Sequence, residues 1–163
     1  MHIRTTILKI VTGLLDLFIL FFSMIVGSGL AELSHEAGTK GLNLTDQLQL
    51  VMGIGLALAC VTIWGITYYL YRIFHMLDQH TFFTKPAVRL VRHMRYLFML
   101  TTFVLLAVLP FFYHMADRAD APGVLVIVCG VIAIPLAIAA FIAAMEKILS
   151  QAIALQAENA LTI

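Results

Sequence analysis

Apolar residues in this chain do not alternate with polar ones at the spacing of a strand; they gather into four long runs. The runs extend from Ile7 to Val26, Leu50 to Leu70, Tyr96 to Tyr113 and Val124 to Ala144. Each has roughly the 20 residues with which a helix crosses a hydrocarbon core about 30 Å thick. The pattern predicts an all-α polytopic membrane protein with four transmembrane helices in one integral domain over residues 1–163. Gly29-Leu30-Ala31 is a passable small-x-small cleavage site. The first run, however, is longer than the h-region of a signal peptide and three more follow, so it is read as a retained span.

The segments between the runs set the orientation. Arg4 and Lys9 precede the first run, Arg72, Lys85, Arg89, Arg92 and Arg95 fill the connection between the second and third, and Lys147 follows the fourth. Only Lys40 and Arg118 lie on the other side, beside the acidic Glu32, Glu36, Asp46, Asp117 and Asp120. The positive-inside rule therefore places both termini and the middle connection in the cytoplasm. The first outer loop, Gly27 to Gln49, contains Gly38, Gly41 and Asn43 and reads as irregular. The third, Ala116 to Gly123, reads as a tight turn closed by Pro122-Gly123. Connections this short predict an up-down-up-down four-helix bundle.

Composition supports this picture. Hydrophobic residues are 62% of the chain and charged residues 12%, against about half and about a quarter in soluble domains. Cys60 and Cys129 both lie inside apolar runs and form neither a CxxC nor a zinc spacing. They are read as small hydrophobes. Small residues recur four apart at Gly53 and Ala57, Gly55 and Ala59, Ala133 and Ala137, and Ala140 and Ala144. That spacing lets helix backbones approach closely in lipid, so these faces are expected at helix contacts. Pro110 falls near the outer end of the third run, and Pro135 falls mid-span in the fourth, where a kink is expected.

Candidate chemistry is sparse. Asp16 is the acidic residue nearest the middle of a span, and Thr62 lies at a comparable depth. A carboxylate at mid-membrane costs roughly 2.5–3.5 kcal/mol on insertion scales, so it calls for protonation, a partner or a water-filled cavity. Asp16 is thus either a proton or cation site or a carboxyl that fixes helix packing. His75, His80 and His93 cluster around the middle connection, while His35 and His114 belong to the outer side. Without CxxCH or HxxxH they do not make a haem or metal motif, and no metal or other cofactor is expected. No GxSxG, HExxH or P-loop occurs, and the spans hold few polar residues that could converge, so no enzyme activity is expected.

The middle connection and the C-terminus are more distinctive. Tyr68, Tyr69 and Tyr71 form an aromatic cluster at a membrane end. Arg89, Arg92 and Arg95 recur every three residues and make a basic stripe, suited to anionic lipid headgroups rather than to nucleic acid. From Val124 to Ala157 the chain could form about 50 Å of helix, several turns more than a bilayer needs. Beyond the span, residues 145–157 read as an amphipathic extension, with Met145, Ile148, Leu149, Ala152 and Ile153 on the apolar face. Glu146, Lys147, Ser150 and Gln151 fall opposite. The apolar face needs a cover, which is the chain's own middle connection, the membrane surface or a partner. Residues 158–163 follow as a tail.

Phe82-Phe83-Thr84 followed by Val88-Arg89-Leu90-Val91-Arg92 resembles the "F-[ST]…V…LR" stretch of a family of bacterial four-span membrane proteins, domain-of-unknown-function family 2975. The closing Glu158-Asn159-Ala160-Leu161-Thr162-Ile163 resembles that family's "E-x-x-L-T-[IV]" ending. The chain departs from the pattern at Lys85-Pro86-Ala87, where members carry a short polar residue or Glu-Asn before the valine. The resemblance implies residence in the bacterial cytoplasmic (inner) membrane and no reaction. It implies a regulatory role, in which the cytoplasmic face holds or releases a small helix-turn-helix regulator. Phe82, Phe83, Arg89, Arg92, Glu158, Leu161 and Ile163 are the residues that would meet this partner. The alternative is an oligomeric transporter or channel subunit that uses Asp16.

Overall fold

A computed structural model describes the backbone of residues 2–40, 43–78 and 84–160 and the side chains of 8–35, 43–77, 84 and 86–155. The described chain is helical almost throughout. The elements are α1 (His2–Lys40), α2 (Leu44–Asp78), α3 (Lys85–Leu105), a 3-10 turn (Leu106–Val108), α4 (Leu109–Ala119) and α5 (Gly123–Ala160). Four stretches are long and apolar enough to cross a membrane: Leu8–His35, Leu44–Leu77, Pro86–Ala119 (α3 with α4) and Gly123–Leu155. The protein is an all-α, four-span membrane protein.

Each of these stretches outruns its apolar run. The first outer loop, expected to be irregular from residue 27, is largely helical, because α1 continues to Lys40. Glu32, Leu33 and Ala37 are ordinary helix formers, and one glycine at 38 is too small a penalty to stop a helix already propagating. α2 then starts with a local cap. The Asn43 amide donates to Asp46 Oδ2 at 3.1 Å, and the Gln47 amide donates to the Asn43 carbonyl at 3.0 Å.

The two prolines act differently. Pro110 has no N–H for the carbonyl of Leu106, and that carbonyl instead takes the amide of Leu109 in a 3-10 turn. The third span is therefore two helices with a tightened joint. α5, by contrast, continues through Pro135 without an interruption of the helix. The last connection is the tight turn expected. Asp120 adopts a left-handed conformation (φ 49°), and the Ala121 amide donates to the Ala116 carbonyl at 3.0 Å.

Neighbours in the chain are neighbours in space. α1 packs on α2, α2 on α3 and α4, and α3 and α4 on α5. Close approaches give the register. The space for a Cβ on Gly13 lies against the Tyr71 hydroxyl, that on Gly53 against Leu30, and that on Gly55 against Ala107 and the Val104 carbonyl. Gly65 lies against Leu97, so both pairs of helices are antiparallel. With Arg92 against Glu146, the start of α1, the end of α2, the start of α3 and the end of α5 share one end. This is the basic end.

The seams follow heptad spacing. On α5 the inward positions are Ile132, Pro135, Ala139, Ile142, Glu146, Leu149 and Ile153. On α1 they are Lys9, Thr12, Asp16, Ile19, Ser23, Val26, Leu30 and Leu33. Steps of three and four keep one face of a helix turned to its neighbour. The small-residue faces meet this only in part. Gly53, Gly55 and Ala59 sit in contacts, whereas Ala133, Ala137, Ala140 and Ala144 are all exposed.

Candidate functional site

Polar side chains converge at the basic end, around a carboxylate. Glu146 is one of the few polar residues buried in the described structure. Arg92 Nε donates to its Oε1 at 2.6 Å, and Arg95 Nη1 lies 2.9 Å from its Oε2. The second contact is an ion pair without good hydrogen-bond alignment, and Arg95 Nε is buried with no hydrogen-bond partner. The Arg95 guanidinium also lies 5.0 Å from the centre of the Tyr96 ring, a cation–π distance. One acid thus holds two cations and joins α3 to α5.

Local structure explains the pairing. Thr84 is extended ahead of Pro86, whose fixed φ suits the first turn of α3. The amides of Ala87 and Val88 return to the Thr84 carbonyl. The helix then carries Arg92 and Arg95 one turn apart toward α5. The register of α5 turns Glu146 inward, not outward as the extension was expected to present it. The expected face needs correction: Met145 and Ile148 are exposed, while Glu146 and Leu149 are buried. Arg92 and Arg95 on the neighbouring helix make an inward carboxylate tolerable, because a buried charge is retained when it is paired.

Beyond this cluster, toward the start of α3 and the end of α5, the helices α2, α3 and α5 share an apolar core. Ala87, Val91 and Leu149 are buried in it, and Ile73, Met76, Val88, Ile142 and Ile153 pack around them. Leu149 and Ile153 of the α5 extension are therefore covered by the protein's own middle segment. His93 stacks on Tyr69 with ring centres 5.8 Å apart, and its Nδ1 lies 2.7 Å from the Arg89 carbonyl. Arg89 itself is exposed. Four of the five tyrosines, Tyr68, Tyr69, Tyr71 and Tyr96, occupy this end of the helices. The Tyr71 hydroxyl reaches the Lys9 carbonyl at 3.5 Å, which sets the start of α1 at the same level.

The two intramembrane candidates are not brought together. Thr62 faces α3, where the Thr101 hydroxyl lies 2.8 Å from its own and 2.8 Å from the Leu97 carbonyl. Thr62 in turn donates to the Ala59 carbonyl at 2.8 Å. Asp16 is half-buried on the seam of α1 that faces α2. The register of that pair sets it level with Thr67, about five residues from the level of Thr62. Its seam is polar for a membrane helix, with Thr12 buried and Ser23 half-buried. Among the described residues no three His, Cys, Asp or Glu side chains are grouped as metal ligands would be.

Of the partner-facing candidates, Arg89 and Arg92 are placed as described. Phe82, Phe83, Leu161 and Ile163 lie outside the described residues, as does the side chain of Glu158. Glu146 was missed as a site residue. Its signal was available: it is the sole acidic residue in residues 121–157, opposite in charge to the arginine stripe.

Over 162 residues the chain is 28% identical to the Uncharacterized membrane protein YoaS of Bacillus subtilis (strain 168), an alignment that spans 99% of each. No solved structure matches. The family model for Protein of unknown function (DUF2975) matches residues 33–163, and the chain belongs to that family.

Proposed function

We propose that this protein is a regulatory protein of the bacterial cytoplasmic membrane, with both termini in the cytoplasm, that binds a soluble partner at its basic end. One observation carries the reading: the apolar cluster of buried residues formed by Ala87, Val91 and Leu149 lies outside the level of the tyrosines. Ala87 is nine residues before Tyr96, about 13 Å along the helix. Lipid-facing spans need no such cluster; a three-helix platform standing on the membrane does. The platform displays Arg89 and Lys147 on its surface and supports the chain toward Glu158, Leu161 and Ile163. A small helix-turn-helix regulator is the partner proposed, and binding rather than catalysis is the role.

The test is a mild-detergent pull-down of the full-length protein beside a chain lacking Glu158 to Ile163. Recovery of a helix-turn-helix regulator by the full chain alone supports the reading. Equal recovery by both removes the tail from the mechanism, and recovery of self-associated protein alone refutes partner binding.

A second reading is supported by the seam around Asp16, where Lys9, Thr12 and Ser23 share the face turned to α2. In an oligomeric transporter or channel subunit Asp16 would bind the proton or cation. Asp16→Asn would then abolish flux in proteoliposomes. The partner-binding reading expects capture of the regulator to survive that substitution.

A further inference from the structure

We infer that Arg92 forms a fixed binding site for the phosphate of one anionic phospholipid headgroup, a role that does not depend on partner binding. A guanidinium has five N–H donors in a rigid plane. Among the described residues, Arg92 engages Glu146 through Nε alone. Its two terminal nitrogens therefore remain as an end-on fork, and the side chain is 52% exposed. The fork geometry fits two oxygens of a phosphate.

Glu146 makes this more than a mobile surface charge. By holding Nε at 2.6 Å from a buried oxygen, it fixes the plane of the guanidinium and so the direction in which the fork points. It does not cancel the charge. Arg92 and Arg95 carry two positive charges against one negative, and exposed Arg89 lies one turn away on the same helix. The pinned arginine loses less freedom on binding than a snorkelling one would.

Depth points to a lipid rather than to a soluble anion. Tyr96 is exposed at the end of the apolar part of α3, and Tyr68 and Tyr71 are exposed at the corresponding end of α2. Such tyrosines sit at the membrane–water interface. Arg92 lies four residues outside Tyr96, about 6 Å along the helix. The headgroup layer on each side of the hydrocarbon is about 5–8 Å thick, so the fork lies within it. The negative charge of the cytoplasmic leaflet complements the cluster.

The test titrates the full-length protein, in dodecyl maltoside micelles, with short-chain phosphatidylglycerol and follows the lipid-dependent rise in unfolding temperature. Phosphatidylcholine and sodium phosphate are run in parallel. A saturable rise with phosphatidylglycerol and none with the other two is expected. Arg92→Gln should weaken the apparent affinity by about tenfold or more, from the loss of hydrogen bonds to a charged group. Arg92→Lys keeps the charge beside Glu146, and hence the fold, but lacks the fork, so it should also weaken binding severalfold. Arg118→Gln, at the other end, should bind as the wild type does. Wild-type affinity in the lysine variant overturns the fixed site, and it decides the matter even if Arg92→Gln fails to fold. An equal response to phosphatidylcholine reduces the effect to general lipid solvation. An equal response to sodium phosphate assigns the fork to a small soluble anion and overturns the lipid assignment.

Discussion

Replacing Glu146 with alanine should be among the most damaging single changes at the basic end, and the two arginine contacts set how damaging. The Arg92 arm is short, but its side chain is 52% exposed, and a pair so open to water contributes little. The Arg95 arm is different. That side chain is 23% exposed and already has a buried Nε without a hydrogen-bond partner. Without Glu146 the Arg95 charge loses its carboxylate while still largely shielded from water. Leaving a shielded polar group without its partner costs about 1–3 kcal/mol. The Arg95 arm therefore sets the loss for Glu146→Ala at about 1–3 kcal/mol. Arg92→Ala should cost least, with Arg95→Ala between the two. Replacing Glu146 with Leu and Arg95 with Met together should recover most of the loss, because a well-packed apolar pair can substitute for a buried ion pair. Equilibrium unfolding of the full-length protein in mixed dodecyl maltoside and SDS micelles, followed by circular dichroism, measures all of these. A double-mutant cycle isolates each arm. The reasoning fails if Arg92→Ala costs as much as Glu146→Ala. It fails equally if the coupling of Glu146 to Arg95 is below about 0.5 kcal/mol.

Two glycines on α2 should respond differently to alanine. At Gly55 the added Cβ would lie 2.8 Å from Ala107 Cβ and 3.4 Å from the Val104 carbonyl, with no flexible atom to yield, so α2 and α3 must separate. A loss of about 1–3 kcal/mol by the same unfolding assay is expected. At Gly53 the clash is with the end of the Leu30 side chain, which can rotate away, and a loss under about 1 kcal/mol is expected. Orientation is open to direct measurement. With Cys60 and Cys129 replaced, Lys147→Cys should react with an impermeant maleimide in inverted vesicles and not in intact spheroplasts. Arg118→Cys should do the reverse, and the opposite pattern would invert the proposed topology.

Much of this molecule could be read from local pattern, because lipid imposes one requirement that acts residue by residue. A helix that crosses the bilayer needs about 20 apolar residues, and each of the four runs became a helical span, the third of them jointed at Leu106–Val108. The turn at Ala116 to Gly123 was equally legible, since Pro122-Gly123 cannot continue α4 and Asp tolerates the left-handed φ. The end of α1 was not. Its outer segment is polar, and polarity in a membrane protein marks the edge of the bilayer rather than the end of a helix. The sequence treats these two boundaries as one, whereas the helix runs to Lys40.

Which face of each helix meets another lay beyond local pattern for a related reason. In water the buried face is the apolar one, but a span surrounded by lipid is apolar on every side. The alanines at 133, 137, 140 and 144 looked like a contact face and are exposed, while Ile132, Ala139 and Ile142 of the same helix turn inward. The extension showed the same difficulty. Glu146 reads as a surface residue beside Lys147 because hydropathy counts a carboxylate as solvated. Only the approach of α3, 54 positions away in the chain, supplies the guanidinium that makes its burial tolerable. Composition and charge order by themselves determined four spans and a basic end, since those depend on the solvent each segment meets. Tertiary structure decided that Arg92, Arg95 and Glu146 form one cluster and that Asp16 and Thr62 do not, since that depends on which helices touch and in what register.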